Sequence, residues 1–151
     1  MTTTLETSAS PDPGELAFLG QRLAEFNDAD VGASEKQALA VFVRDESQAI
    51  VGGISGYTAW GWLYVQWLWV DASQRGRGMA GRMLSSAEAE AIARSCHGAL
   101  IDTFNPVAAK TYERQGYRQF GELADFPVGR SRIFLQKRLS APSLADELPT
   151  S

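Results

Sequence analysis

The sequence is poor in the residues that most metal and covalent chemistry requires. It has one cysteine, Cys96, and one histidine, His97. A single cysteine cannot close an intrachain disulfide, and one of each cannot form a zinc-ligand cluster, so no metal is expected. No apolar run approaches the length that crosses a bilayer, so no membrane role is expected either. The opening "MTTTLETSASPDP" lacks the basic start and apolar stretch of a secretory leader. With the lone cysteine, this points to a reducing cytoplasm. Positive charge is also scarce: 14 Lys and Arg against 18 Asp and Glu leave a net charge of −4. Nucleic-acid binding needs a broad basic face, and none is expected here. Any anion site must be local.

What the chain does have is enough length, at 151 residues, for one domain with a real core. Polar stretches without periodicity, residues 1–11 and 140–151, read as loose tails, and the domain spans 12–139. Asp12, Pro13 and Glu15 have the form of an N-cap, a first-turn proline and a capping-box acid. Leu16, Leu19, Leu23 and Phe26 follow at helical spacing, and the helix is expected to close near Asn27. Three segments rich in β-formers come next, "ALAVFVRD", "QAIVGGISGYT" and "WLYVQWLWV". Their short links imply antiparallel neighbours. Helical patterning returns from Ala80 to about Ser95, followed by a buried strand, "GALIDTF". Asn105 and Pro106 open a further helix that Gly116 stops, and two strands close the domain. The order predicts an α/β sheet with a β-α-β crossover in its middle.

That crossover carries "VDASQRGRGMAGRML", Val70–Leu84, with three glycines, three arginines and no acid after Asp71. Part of it fits G-x-G-x-x-G, and Asp102 lies where a ribose-binding acid would stand. In a dinucleotide fold, however, the first glycine turns directly off the strand, whereas here five residues separate Val70 from Gly76. The upstream antiparallel strands have no place in such a unit. The phosphate loop of nucleotide hydrolases, with its Gly-Lys pair, is absent. What remains is a strand, a glycine turn and a helix start whose free N–H groups and dipole favour phosphate, with Arg75, Arg77 and Arg82 adding matching charge. The alternative is a plain tight turn with solvated arginines.

A second segment, "NPVAAKTYERQGY", Asn105–Tyr117, changes the balance. Taken together the two segments resemble the GNAT superfamily of acetyl-CoA-dependent N-acetyltransferases. Arg75, Gly78 and Ala80 fit its turn pattern [QR]-x-x-G-x-[GA]. Asn105, Ala108, Tyr112, Glu113, Gly116 and Tyr117 fit N-x-x-A-x-x-x-Y followed by E-x-x-G-[FY]. The ending "FGELADFPVGRSRIFLQKRL" is similar to small bacterial single-domain members. The resemblance implies a mixed, mostly antiparallel sheet with a β-α-β acyl-CoA-binding core and flanking helices. It also implies acetyl-CoA as cosubstrate, a small-molecule primary amine as acceptor, attack within a ternary complex, and, at family level, a homodimer.

Carried over by position, the resemblance places the pantetheine arm along Trp69 and Val70. The pyrophosphate would lie on Arg75, Gly76, Arg77, Gly78, Met79, Ala80 and Gly81, with Ser73 and Gln74 flanking. Asn105 would face the cofactor, serve as a plain N-cap, or do both. Tyr112 would donate a proton to the departing sulfur; otherwise it is a packed helix aromatic. A backbone N–H near Val70 would stabilise the oxyanion. The strand before the turn departs from many members, since Gln66 stands where an acid is often found and glutamine cannot accept the proton. Water, main-chain carbonyls, Asp102, Glu122 and Asp125 remain candidates for that task. His97 reads as a surface or capping residue beside Gly98. Alternation divides the hairpin aromatics Tyr57, Trp60, Trp62, Trp67 and Trp69 between two faces, most of them in the core; Trp60 or Tyr57, if at the open edge, would wall an apolar or cationic amine. Asp125 and Glu122 would attract an ammonium group. The other readings are a non-catalytic acyl-CoA-binding module, which Gln66 would permit, and a protein N-acetyltransferase.

Overall fold

A computed structural model describes residues 1–140; the C-terminal stretch read as a tail lies outside the described residues from 141 onward. The chain divides into two compact units, residues 1–34 and 35–151. The first contains helix α1, Pro13–Val31. Asp12 caps it, its carboxylate accepting the Glu15 N–H at 3.1 Å. The helix passes the expected stop at Asn27 because nothing there breaks it, and it ends only where Gly32 adopts φ 94° and donates to the Asp28 carbonyl.

The second unit contains β1 (Gln37–Arg44), β2 (Ile50–Ala59), β3 (Trp62–Val70), α2 (Met79–Ala93), β4 (Gly98–Thr103), α3 (Pro106–Arg114), β5 (Arg118–Ala124) and β6 (Ser131–Arg138). The strands form one sheet in the order β1-β2-β3-β4-β6-β5. Every neighbouring pair is antiparallel except β3–β4, which is parallel because α2 carries the chain across. This is the mixed, mostly antiparallel sheet that the resemblance implies, with the β-α-β crossover that the order of elements predicts. Helix α2 packs on β1, β2 and β3, and α3 on β4 and β5. Leu39, Ile54, Leu63 and Val65 of the sheet meet Met83, Leu84, Ala87 and Ala91 of α2 in one buried cluster.

Two irregularities shape the middle of the sheet. Ser55 pairs with Trp67 and Gly56 with Val65, so Gln66 is an extra residue bulged out of the ladder. Glycine at 56 permits the bulge, since a Cβ there would lie 2.0 Å from the Tyr64 carbonyl oxygen. The bulge also corrects the expected division of the aromatics. Alternation restarts after Gln66, which leaves Leu63, Val65, Leu68 and Val70 on one side and Trp62, Tyr64, Trp67 and Trp69 together on the other. None of the four tryptophans is buried, so they are not core residues.

The second irregularity is a splay. β3 and β4 pair only from Trp62↔Gly98 to Val65↔Ile101, although both strands continue further. The paired end is tight: a Cβ on Gly98 would come within 2.6 Å of the Trp62 ring. The other end opens into a gap.

Candidate active site

The gap between the diverging strands holds a cavity of about 260 Å³. Gln66, Trp67 and Leu68 line it from β3, Asp102 and Thr103 from β4, Tyr112 from α3 and Arg132 from β6. Beyond Val65, the side of β3 that faces β4 has no strand partner, so main-chain groups around Trp69 and Val70 border an open edge. The Val70 carbonyl is partly used, accepting the Arg75 Nε–H at 3.1 Å.

From Val70 the chain enters a 3-10 turn, Ala72–Gln74. Asp71 accepts hydrogen bonds from the Ser73 hydroxyl and N–H, which hold its carboxyl below the usual range. Ser73 is therefore spent on closing the turn. Gly76 and Gly78 follow at φ 76° and 70°, the left-handed region that glycine enters without strain, and the space around both is open. Helix α2 then starts at Gly78 with no capping side chain. Its first bond back to the turn is Arg82 N–H to the Gly78 carbonyl at 3.1 Å. Among the described residues, no hydrogen bond uses the amides of Met79, Ala80 and Gly81, so these donors remain for an anion.

Beside this helix start is a second cavity, of about 610 Å³, shared by α2 and α3. Gly78, Gly81, Arg82 and Ser85 line one side, and Thr111, Arg114 and Gln115 the other. A Cβ on Gly81 would fall 2.9 Å from the Gln115 side-chain oxygen. Gly81 thus serves helix–helix approach as well as bordering the cavity. Thr111, Arg114 and Gln115 are the residues that sequence reasoning missed. Their spacing puts them on one face of α3, the only signal that could have found them.

Asn105 caps α3: its Oδ1 accepts from the N–H of Val107 at 2.9 Å and of Ala108 at 3.3 Å. Further along the helix, Tyr112 is buried at the cavity wall, and its ring lies 6.4 Å from that of Tyr117. Burial, and then the negative charge of Asp102, push its hydroxyl up to about 12. Such a group stays protonated at neutral pH. No hydrogen bond to another described residue engages that hydroxyl.

Asp102 is mostly enclosed, with its side chain 14% exposed. Oδ1 accepts from the Tyr64 hydroxyl at 3.2 Å and Oδ2 from Arg132 Nη1 at 3.0 Å. Glu122 and Asp125 are exposed and line none of this cavity; Asp125 accepts the Gly129 N–H at 3.3 Å within the β5–β6 turn. His97 lies at the paired end of β3–β4, its ring 5.5 Å from that of Trp62. Trp60 also lies at that end, in the β2–β3 turn, away from the gap. Tyr57 packs edge-on against Tyr64 at 5.6 Å. Among the described residues no cluster of three or more His, Cys, Asp or Glu could hold a metal ion, and no helix is long and apolar enough to cross a membrane.

Residues 5–117 match the acetyltransferase (GNAT) family profile. The chain is 45% identical over 116 residues to an acetyltransferase of Agrobacterium fabrum, covering 77% of this chain and 85% of the relative. It is 36% identical over 104 residues to the blasticidin-S acetyltransferase of Streptomyces morookaense, covering 68% and 76% respectively. A solved acetyltransferase structure from Bacillus cereus superposes with a TM-score of 0.77 at 27% identity, covering 89% of this chain and 98% of the other.

Proposed function

We propose, for a chain that belongs to the GNAT acetyltransferase family, that it moves the acetyl group of acetyl-CoA onto a primary amine of a small molecule. The observation that carries this reading is the bare start of α2, with three unused amides between left-handed glycines and basic side chains, opening beside the splayed strands. The pyrophosphate would rest on residues 75–81, with Arg77 and Arg82 balancing its charge. The pantetheine arm would run along Trp69 and Val70, with Asn105 facing it from the far side of the gap. Arg114 and Thr111 extend the anion-binding wall from α3.

Transfer needs a neutral amine, stabilisation of the carbonyl oxygen and a proton for the leaving thiolate. A main-chain N–H near Val70 supplies the second. Tyr112 supplies the third, since its raised pKa keeps the proton in place until sulfur takes it. A small-molecule acceptor accords with the blasticidin-S acetyltransferase among the relatives and with a gap cavity of about 260 Å³. A homodimer belongs to the same reading, and the open sheet edges at β1 and β5 support it.

Isothermal titration with acetyl-CoA tests the premise. Micromolar binding that an Arg77→Glu, Gly78→Glu variant loses is the expected result, followed by thiol release when primary amines are added. Absence of heat at any workable concentration would overturn the reading.

A further inference from the structure

We propose that Asp102 holds the ammonium group of the acceptor and removes its proton, a role that rests on the acetyl-transfer reading and names the base that Gln66 cannot be. Among the described side chains lining the gap cavity, Asp102 is the only carboxylate, and Gln66, Thr103 and Arg132 accept no proton at neutral pH. Asp102 and Tyr112 line the same small cavity, one a carboxylate and the other a phenol whose raised pKa keeps its proton in place. A carboxylate and a phenol that share one cavity can divide the work of base and acid.

The neighbours of Asp102 fit this task. A carboxylate offers about four lone-pair sites, and here Tyr64 and Arg132 use two of them, one on each oxygen. The other two remain for the acceptor nitrogen. Arg132 orients the carboxylate through its bond to Oδ2. Its guanidinium carbon lies 4.1 Å from the centre of the Phe126 ring and 5.1 Å from that of Phe104. Its buried Nε–H has no hydrogen-bond partner among the described residues. Aromatic faces rather than a full set of hydrogen bonds hold this side chain, so Arg132 is a positioning residue. The groups that face Asp102 are Tyr64 from β3, Tyr112 from α3 and Arg132 from β6. Lys36, which lies 4.3 Å over the Tyr57 ring, is one ring further out.

The step balances. Asp102 takes one proton from the ammonium group and releases it to solvent. The free amine forms a C–N bond to the acetyl carbon, the C–S bond breaks, and sulfur takes the Tyr112 proton. Asp102, ionised again, takes the second nitrogen proton, and this makes good the one that Tyr112 gave up.

The test is the pH profile of kcat/KM between pH 6 and 9, read as thiol release with acetyl-CoA and a panel of butylamine, 1,4-diaminobutane, 2-phenylethylamine and blasticidin S. If wild type turns over none of these, the transfer reading fails and the base falls with it. With turnover, the wild-type profile should be nearly flat. Asp102→Asn should bind acetyl-CoA normally, lose about 100-fold or more at pH 7, and regain activity about tenfold per pH unit as the free amine appears. A loss that stays constant with pH, or no loss, overturns the assignment while leaving the transfer reading intact. If Asp102→Asn fails to fold, Asp102→Ser decides by the same readout: a loss at pH 7 that recovers as pH rises supports the assignment, and a loss that stays constant, or none, overturns it.

Discussion

Helices α2 and α3 begin under opposite terms. At α3 the Asn105 side chain accepts two of the N–H groups that every helix start leaves over. At α2 the cap position is Gly78, which has no side chain, and three amides go unused. On the proposed reading, the two helices between them carry the acid and the anion site of acyl transfer. The sealed start fixes the helix that holds Tyr112, and the bare start leaves donors for an anionic ligand. Hydrogen bonds completed within the chain contribute stability, and those left open contribute affinity.

That contrast can be broken at several points. The largest effect is expected at the sealed helix: Tyr112→Phe should lower kcat by about 10²-fold or more while leaving acetyl-CoA affinity within a few-fold, measured by steady-state kinetics and titration. Gly78→Asp makes the bare start resemble the sealed one. Asp tolerates left-handed φ better than most residues, so the melting temperature should change little. Affinity for acetyl-CoA should nevertheless fall about 100-fold, because a carboxylate then occupies the anion's place.

Alkaline pH tests the buried tyrosines near the end of α3. Tyr112 is raised from its ordinary value to about 12, first by burial and then by Asp102, and Tyr117 is raised by burial and by Glu88. A folded-state pKa above the unfolded one gives stability that is complete below pH ~10 and lost as pH rises toward 12. For Tyr112 this amounts to about 3 kcal/mol. Denaturant melts at pH 9 and 11.5 should show the loss, and Tyr112→Phe should shrink it. The smallest effect is at the cap itself. Asn105→Ala should cost about 1 kcal/mol of stability in the same melts, with less than about a tenfold loss of affinity.

The parts of this fold that were legible beforehand depend on near neighbours in the chain. Asp12 and Asn105 announce helix starts, "AWG" closes a hairpin through Trp60 and Gly61 at φ 47° and 76°, and Gly76 and Gly78 announce a left-handed turn. Met79 opens α2 one residue earlier than the patterning suggested, a difference the turn absorbs. The misplaced tryptophans had a different cause. Strand alternation is a sound rule until a bulge shifts it, and the bulge at Gln66 is visible only once Ser55 and Gly56 have partners across the sheet. Thr111 and Arg114 were missed because a cavity wall on α3 exists only when α2 stands opposite.

By itself the sequence determined the order of elements, the glycine turn and the Asn105 cap, because caps, turns and periodicity are settled by backbone stereochemistry over a few residues; Tyr112 stood out through the family resemblance. Only the tertiary structure decided that β3 and β4 part after Val65 and that Asp102 meets Tyr64 and Arg132. These contacts join residues 38 and 30 positions apart, and their geometry follows from strand register and crossover, which no local pattern encodes.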